Sequence, residues 1–587
     1  MSQRNHLTSI KFGYGLRDFV QKEGYNRQHL TKDIVAGVTV GILAIPVSMA
    51  LATGIGISPI YGLYTAIVAG FVTALLGGSR FSVAGPTASL VILLIPVTET
   101  YGLLGIITVS LLTGLLLMMM AYYRFGRWIE YIPETITLGF TTGIAAVIIL
   151  LQINFFFGLG LSNLPSNFLE RLGIMLQSLL TQVHWPSAAI GGFTLLFMTL
   201  WLKMGFKFPG HLPGLVAASI VTFFWNQYGA EVLTVGQLFG EIPHHFPIFQ
   251  GLLMVEQLQE MAVRDIWDMV KFLLPIAFAL AILIAMESLF CAAVLDSKAG
   301  TRHSPNSELM GQGVGNIASA LFGGFASSGA IARSITNLRA GAVSPVAAIV
   351  HAIVVLFAIF FLAGLLVHLP LPAMSALLIL VAWRMSEFPR AIELVRNAER
   401  GDKLVYIACF SVIILVDIVY AVIVGMVLAS ILFIKEIAEM TKLQNIGESK
   451  RYKADSLPEH WSIYRIQGPL FFAAADRIFA ELASHLPHQQ GIVIQMDAVT
   501  ILDSGGLSAL RRFVSSAQAQ GVEIYLSELQ FQPLRTLARY GLDKFGAHFQ
   551  LFANLDDAQI AAKRLADNLP ESAPDKASAD APARLSQ

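Results

Sequence analysis

Two ionisable side chains lie inside long apolar stretches of this sequence. Arg333 comes near the end of a glycine- and serine-rich stretch, residues 322–334, and Glu287 follows an apolar run, residues 280–286. An arginine keeps its charge at any physiological pH, so at membrane depth it requires an anionic partner or ligand. Burial raises the pKa of a carboxyl group and a nearby arginine lowers it, so Glu287 is a candidate proton carrier. The two residues together indicate a site for an anion and a proton.

Each of the two residues also has a structural interpretation. Arg333 could extend to the cytoplasmic surface, or it could pair permanently with Glu287 at fixed charge. A guanidinium in the first turn of a helix also fits a carboxylate ligand in a bidentate manner. The sequence alone leaves these alternatives open.

Two stretches of similar design surround these residues, 322–334 in the second half of the chain and 77–89 in the first. Both are rich in glycine and small polar residues, which suit a half-helix that begins inside the membrane and presents free N–H groups to an anion. Pro86 fits the first turn of such a helix, since its missing N–H would be unpaired there anyway. The hydroxyls of Thr87 and Ser89 could contact a substrate or cap the helix, and capping is the commoner role. Broken segments at corresponding places in two halves predict a transporter binding site.

The composition places the chain in the membrane. Only 13% of its residues are charged and 55% are hydrophobic, whereas soluble proteins carry about 25% charged residues. The net charge of +0 gives no reason to expect nucleic-acid binding. Cys291 and Cys409 both lie in apolar runs, which excludes a disulfide framework or a thiolate metal site. No phosphate-binding loop, metal-ligand spacing or Ser-His-Asp context is present, so we expect neither a cofactor nor an enzyme.

The apolar runs predict two sets of seven spans. They lie at about 33–53, 58–76, 80–97, 102–122, 134–153, 187–204 and 212–228, then 269–295, 306–322, 328–340, 344–368, 371–384, 403–417 and 419–437. Because a span needs about 20 apolar residues, the short members must be broken or tilted. A unit with an odd number of spans that is repeated once inserts in opposite orientations, which is the inverted-repeat design of many secondary transporters.

The distribution of positive charge supports this count. If the N-terminus is cytoplasmic, nearly all lysines and arginines between spans fall in inner loops, with Arg171 and Arg264 as the exceptions. This asymmetry is typical of bacterial membrane proteins. It predicts an inner-membrane protein whose N- and C-termini are both cytoplasmic, and no cleavable signal peptide opens the chain.

Beyond Met440 the sequence changes to alternating short strands and helices. We predict strands at 462–466, 491–496 and 522–526, and helices at 478–486, 507–519 and 532–540. This alternation is typical of a small α/β domain. The predicted domains are a cytoplasmic segment 1–32, a transmembrane domain 33–438 with repeats at about 33–228 and 269–438, the α/β domain 441–565, and a disordered tail 566–587.

Short motifs along the whole chain resemble one family. They are Ala44-Ile45-Pro46, Gly62-Leu63-Tyr64, Gly85-Pro86-Thr87-Ala88, Glu287-Ser288, Asn306-Ser307-Glu308-Leu309, Gly311-Gln312-Gly313, Asn316 and Arg333-Ser334, and in the tail Gln467-Gly468-Pro469-Leu470-Phe471-Phe472 and Leu502-Asp503-Ser504-Gly505-Gly506. In this order they resemble the SulP family of anion transporters with its C-terminal STAS domain. The resemblance implies 14 transmembrane segments as a 7+7 inverted repeat, a core domain that moves against a gate domain, and usually a homodimer.

The resemblance also implies where the substrate binds, between the third and tenth spans. The implied site residues are Val47, Leu51, Thr87, Ala88, Glu287, Gly329, Ala330, Ile331, Arg333 and Ser334. In sodium-coupled relatives an aspartate stands at the position of Glu287 and a small residue at that of Arg333. Since Arg333 would repel sodium, the sequence favours proton coupling through Glu287.

Within the family the sequence resembles an enterobacterial C4-dicarboxylate transporter. The shared strings are Gly78-Ser79-Arg80-Phe81-Ser82-Val83, Ile129-Glu130-Tyr131-Ile132-Pro133 and Phe531-Gln532-Pro533-Leu534-Arg535-Thr536. Proton-coupled uptake of succinate, fumarate or aspartate is therefore the first hypothesis. The alternatives are transport of an inorganic anion such as sulfate or bicarbonate, an anion channel, and a membrane-anchored scaffold in which the STAS domain is the working part.

Some positions depart from the family. Certain anion-selective relatives carry an aromatic residue in place of Thr87 and an acidic or amide residue in place of Val47, which argues against simple chloride or sulfate selectivity. In the STAS domain, Asp503 and Ser504 precede a helix and could bind an anion or a cytoplasmic protein through backbone N–H groups. Related regulatory proteins are phosphorylated on a serine one position later, where this chain has Gly505.

Overall fold

The computed structural model describes residues 10–127, 133–161, 165, 168–204, 210–243, 245–416, 418–447, 457–458 and 460–567. The predicted disordered tail lies almost entirely outside these residues. The chain divides into two compact units, Met1–Ala429 and Ser430–Gln587. We describe each unit by itself.

The first unit is helical apart from two very short strands. Its first half contains α1 Tyr14–Lys22, α2 Arg27–Ile55, α3 Pro59–Leu76, β1 Ala84–Gly85, α4 Ala88–Tyr122, α5 Glu134–Phe157, α6 Phe168–Thr181, α7 Trp185–Lys203, α8 His211–Gln227, α9 Val235–Phe239 and α10 Gly251–Glu260. Its second half contains α11 Val263–Ala299, α12 Pro305–Leu321, β2 Ser328–Gly329, α13 Ile331–Arg339, α14 Val346–Leu366, α15 Leu371–Met385, α16 Phe388–Asn397, α17 Arg400–Leu415 and α18 Ile418–Met440, the last of which continues into the second unit.

Several of these helices are long and apolar enough to cross a membrane. By length and composition, seven helices of the described residues qualify, and the pair formed by α6 and Trp185–Trp201, bent by 110°, would be an eighth. Every predicted span contains a helix, although the count of fourteen stays a prediction. The third and fourth predicted spans lie in a single element, α4. The helix is interrupted at Gly102, whose φ of 57° and ψ of −143° are not helical.

The predicted half-helix in the second half is confirmed as a short element. Helix α13 has only nine residues, too few to span a bilayer. Strands β1 and β2 pair in antiparallel register, with Ala84 opposite Gly329 and Gly85 opposite Ser328. These two strands join the first half of the chain to the second.

Two groups of helices pack mainly within themselves. The first consists of α2, α3, α4, α11, α12, α13 and α14, and the second of α5, α7, α8, α15 and α17. Small residues permit the closest approaches in the first group, where a Cβ on Gly114 of α4 would lie 2.7 Å from the carbonyl oxygen of Gly313 in α12. Close packing through small residues is the usual way in which membrane helices associate.

The second unit contains a five-stranded sheet and four helices. Its elements after α18 are β3 Lys442–Asn445, β4 Trp461–Gln467, α19 Phe472–Ser484, β5 Gly491–Ala498, α20 Ser504–Ala519, β6 Glu523–Ser527, α21 Phe531–Tyr540, β7 Phe549–Phe552 and α22 Leu555–Ala566. The strand order is β3-β4-β5-β6-β7, in which only the β3–β4 pair is antiparallel. The three predicted strands and three predicted helices are confirmed, whereas β3, β7 and α22 escaped the sequence analysis.

Candidate functional site

The starts of α4 and α13 meet at the small sheet formed by β1 and β2. Thr87 is the N-cap of α4 and Ala330 is the N-cap of α13. The backbone N–H of Ala330 donates to the carbonyl of Val83 at 3.0 Å, which extends the strand pairing by one residue. The predicted convergence of two helix starts from the two halves of the chain is confirmed.

Strand β2 is held by side chains of α11 and α12. The amide of Asn316 brackets the backbone of Ser327, accepting from its N–H at 2.7 Å and donating to its carbonyl at 3.0 Å. The hydroxyl of Ser288 accepts from the N–H of Gly329 at 2.9 Å. Asn316 therefore serves a structural role in holding this segment.

Strand β1 is held by one face of α13. The hydroxyl of Ser334 accepts from the N–H of Val83 at 2.9 Å, and the amide of Asn337 donates to the carbonyl of Phe81 at 3.1 Å. Ser334 is fully buried. In this conformation Ser334 therefore binds backbone.

The guanidinium of Arg333 lies against the turn between β1 and α4. Its Nη2 donates to the carbonyl of Pro86, and the residue is 8% exposed. Its Nη1 has no hydrogen-bond partner, and no carboxylate of the described residues lies within ion-pair distance of Arg333. A buried cation with an unpaired donor is costly unless a ligand binds there.

The carboxyl group of Glu287 contacts the next residue of this turn, Thr87, and lies among hydroxyl groups. Its Oε2 accepts from Ser328 at 2.5 Å and from Thr87 at 3.2 Å. The hydroxyl of Thr87 also lies 2.9 Å from that of Ser328 and 3.1 Å from that of Ser89. Glu287 is partly exposed, whereas Ser89 and Ser328 are fully buried.

Of the alternatives that the sequence left open, two are not realised in this conformation. The hydroxyl of Thr87 makes no capping hydrogen bond to the helix backbone, because it is engaged by Glu287 and Ser328. The alternative in which Glu287 and Arg333 form a permanent ion pair is not realised, since each has other partners.

The remaining predicted residues make no side-chain hydrogen bonds to this group in the part of the chain that the structure describes. Leu51, Ala88 and Ala330 are 1%, 4% and 9% exposed, and Val47 is partly buried against the main apolar core. Ile331 packs against a different apolar cluster, with Ala36 and Phe81. The N–H of Gly329 is engaged by Ser288. The structure thus brings Thr87, Glu287 and Arg333 together most directly.

The sequence analysis missed two residues of this group. Ser328 contacts both Glu287 and Thr87, and Gly85 leaves the space in which the guanidinium of Arg333 lies. Both belong to the glycine- and serine-rich stretches already singled out. From the sequence, Ser328 indicated only a helix start, and Gly85 indicated a helix start and a family motif.

The loop before α20 in the second unit has a conventional helix cap. The carboxylate of Asp503 accepts from the N–H of Gly506 at 2.7 Å and from that of Phe472 at 3.3 Å. Ser504 is exposed. A Cβ on Gly505 would lie 2.6 Å from the Cβ of Phe472. A phosphorylatable side chain therefore has no space at position 505.

Comparison with known proteins identifies two regions. Residues 30–409 match the model of the sulfate permease family, and residues 452–558 match that of the STAS domain. "Putative sulfate transporter YvdB" of Bacillus subtilis is 33% identical over 522 residues, which cover 89% of this chain and 95% of that protein. "Bicarbonate transporter BicA" of Picosynechococcus sp. is 25% identical over 88% of this chain and 92% of its own length.

Solved structures agree on the fold. The structure of SLC26A9 superimposes with a TM-score of 0.81 at 19% identity and covers 94% of this chain and 93% of that one. The transmembrane domain of the cyanobacterial transporter BicA gives a TM-score of 0.58 at 23% identity, over 72% of this chain and 100% of that one. This chain therefore belongs to the sulfate permease family: it is a membrane transporter of anions with a C-terminal STAS domain, and not an enzyme.

Proposed function

We propose that this protein imports C4-dicarboxylates, such as succinate, fumarate or aspartate, together with protons. The observation that carries the proposal is that Arg333 and Glu287 contact consecutive residues of one turn, Pro86 and Thr87, and among the described residues form no ion pair with each other. A site with a separate cation and a separate titratable carboxyl group can bind an anion and a proton as two events.

The cation side of the site supplies the anion-binding groups. The unpartnered Nη1 of Arg333 is available for a substrate carboxylate, and charge-assisted hydrogen bonds of this kind are short and strong. The starts of α4 and α13 add the positive ends of two helix dipoles. A substrate with two carboxylates could engage both the guanidinium and a helix start.

The carboxyl side of the site supplies the proton. Glu287 would take up a proton from the outer side, where the inward gradient keeps the proton concentration high, and release it to the cytoplasm. In its neutral form Glu287 would not repel a carboxylate substrate, so proton and anion would bind together. This order of events favours symport over free exchange.

Substrate identity rests mainly on the resemblance to the C4-dicarboxylate transporter DauA, in the strings around Gly78, Glu130 and Gln532. An inorganic anion is the second candidate, because the similar proteins compared above are named for sulfate and bicarbonate. Further parts of the proposal are a homodimer in a bacterial inner membrane with both termini cytoplasmic, and a STAS domain that binds a cytoplasmic partner.

Uptake into proteoliposomes tests the proposal. Purified protein should accumulate radiolabelled succinate under an inward proton gradient, and unlabelled fumarate or aspartate should compete. Accumulation of sulfate or bicarbonate without succinate would favour the second candidate. Saturable counterflow distinguishes a carrier from a channel, and the absence of flux for every anion would leave only the regulatory scaffold.

A further inference from the structure

Three oxygen atoms at the helix starts are in mutual contact. Glu287 Oε2, Thr87 Oγ1 and Ser328 Oγ are separated by 2.5, 2.9 and 3.2 Å, so each oxygen lies within hydrogen-bond distance of the other two. We call this group the hydroxyl–carboxyl triangle. Its three members come from three elements: α11, the N-cap of α4, and β2.

Counting hydrogens shows which protonation state fits this geometry. Each hydrogen bond between two oxygens requires one hydrogen, and a hydroxyl group supplies only one. With Glu287 ionised, Thr87 and Ser328 supply two hydrogens for three contacts. A neutral Glu287 supplies the third. Ser89, which lies 3.1 Å from Thr87 and also hydrogen-bonds to Glu287, supplies a hydrogen of its own and takes none from these three contacts.

We infer that Ser328 couples the proton on Glu287 to the contact between the two half-helices. When Glu287 is protonated, it donates to Ser328, whose hydroxyl is then free to donate to Thr87 and to link β2 with the start of α4. When Glu287 loses the proton, the hydroxyls of Ser328 and Thr87 both turn to the carboxylate. Their contact with each other then lacks a hydrogen, so the side-chain hydrogen bond between Ser328 and Thr87 is lost while the strand pairing remains. This inference rests on the proposed proton coupling through Glu287.

The position of Ser328 suits this role. Its backbone is fixed by the pairing with Gly85 and by the adjoining contacts of Asn316 and Ser288 with its chain neighbours. Because the backbone cannot follow, a change in Glu287 is transmitted through the rotation of the Ser328 hydroxyl. Since Ser328 is fully buried, no solvent water competes for that hydroxyl. Ser328 is therefore a positioning residue, acting through Glu287 and Thr87.

Other ionisable groups surround the triangle without joining it. They are Cys291 one turn further along α11, Glu308 on α12, Arg333 on α13 and His351 on α14. Among the described residues, none of these four forms an ion pair or a hydrogen bond with an atom of the triangle. The proton that completes the triangle is therefore carried by Glu287.

Replacement of Ser328, compared with its neighbour Ser327, tests the inference. Both serines are fully buried, but the hydroxyl of Ser327 has no hydrogen-bond partner. In proteoliposomes, Ser328→Ala should retain succinate counterflow at a reduced rate while proton-driven accumulation falls about tenfold, corresponding to about 1.4 kcal/mol. Ser328→Thr should restore accumulation because it keeps the hydroxyl, and Ser327→Ala should behave as wild type.

The outcomes separate this inference from the proposed function. If wild-type protein accumulates succinate with protons and Ser328→Ala does so equally well, the coupling role of Ser328 is overturned while the proposed function stands. Equal losses of counterflow in Ser328→Ala and Ser328→Thr would also overturn the coupling role, because they would indicate that only the size of the side chain at position 328 matters. If Ser328→Ala does not fold, Ser328→Cys replaces it, and full coupling with this weaker donor would contradict the inference. Absence of proton-driven uptake in wild type would remove the proposed function itself.

Discussion

Gly85 and Arg333 lie so close together that no side chain fits at position 85. A Cβ on Gly85 would lie 2.6 Å from Nη1 of Arg333 and 3.2 Å from its Cζ. The guanidinium thus rests on strand β1, and its position depends on the pairing of that strand with β2. The geometry of the proposed anion site therefore depends on the contact between the two half-helices.

Gly85→Ala should therefore weaken substrate binding, and it should also destabilise the fold because residues with a side chain rarely adopt the φ of 158° found at Gly85. The clash is with the end of a flexible side chain, which can shift, but a shift of about 1 Å in a binding group can cost up to about a hundredfold in activity. Calorimetric titration with succinate measures the loss. Gly364→Ala is the matched control, because nothing lies within 4 Å of the added Cβ and the residue is in a helix. Equal affinities in the two variants would contradict the expectation.

Arg333→Ala should reduce the affinity for succinate about 10- to 100-fold, which corresponds to the 1.5–3 kcal/mol typical of a hydrogen bond to a charged group. Arg333→Lys should lie between this variant and wild type, since it keeps the charge without the planar fork. Thermal unfolding is measured in parallel. A loss of stability without a loss of affinity would show that Arg333 serves only to hold the carbonyl of Pro86.

Glu287→Gln should abolish accumulation driven by the proton gradient while leaving counterflow. Glutamine keeps the size of the side chain and can still hydrogen-bond to Ser328 and Thr87, but it cannot release a proton. Uptake is measured with and without a pH gradient across the same liposomes. Gradient-driven accumulation that persists in this variant would assign the proton to another group.

The sequence predicted the elements of the site better than the contacts within it. Glycine, proline and serine mark the half-helix starts because their backbone requirements are local. The contacts of Thr87 with Glu287 and with Ser328 join residues 200 and 241 positions apart. No local pattern encodes such contacts, and so the more common capping role of Thr87 was the natural expectation.

The same limit explains the omissions in the second unit. The central strand β5 is apolar and almost fully buried, so its hydrophobicity identifies it. The edge strand β3 has four residues, Lys442 to Asn445, none of which is buried. An exposed edge strand carries little hydrophobic pattern, and its pairing with β4 becomes visible only in the fold.

Gly505→Ser should destabilise the STAS domain instead of creating a regulatory site. The added side chain would meet Phe472, and overpacking of this kind typically costs about 1–3 kcal/mol. Thermal unfolding of the purified protein detects the change. Ser504→Ala at the exposed neighbouring position is the control and should have little effect. A fully stable Gly505→Ser protein would show that the loop can make room.

The N-terminal segment is attached to the loop that leads into β1. The N–H groups of Gly13 and Gly15 donate to the carbonyls of Leu76 and Gly77 at 2.8 and 3.2 Å. Arg80, whose side chain is 8% exposed, donates to Asp18 at 2.7 Å and to Glu23 at 2.6 Å. Since Arg80 lies only four residues before β1, this attachment helps to fix the segment that leads into the proposed substrate site.

Acidification should release this attachment through Asp18. Burial alone would raise the pKa of Asp18, but hydrogen bonds from Lys22 and Arg80 and the charge of Arg80 outweigh it, so the pKa is lowered. A carboxyl group with a lowered pKa stabilises the folded protein above the unfolded pKa of about 3.9, and this stability is lost as the pH falls through the folded pKa.

Asp18→Asn should therefore cost about 2 kcal/mol near neutral pH, and its difference in stability from wild type should shrink below about pH 4. Protection of the N-terminal segment from proteases, measured across this pH range, reports the effect. Lys22→Ala is the control: because Lys22 is largely exposed, this change should alter stability by less than about 1 kcal/mol. A difference between Asp18→Asn and wild type that stays constant down to low pH would mean that the attachment does not depend on the charge of Asp18.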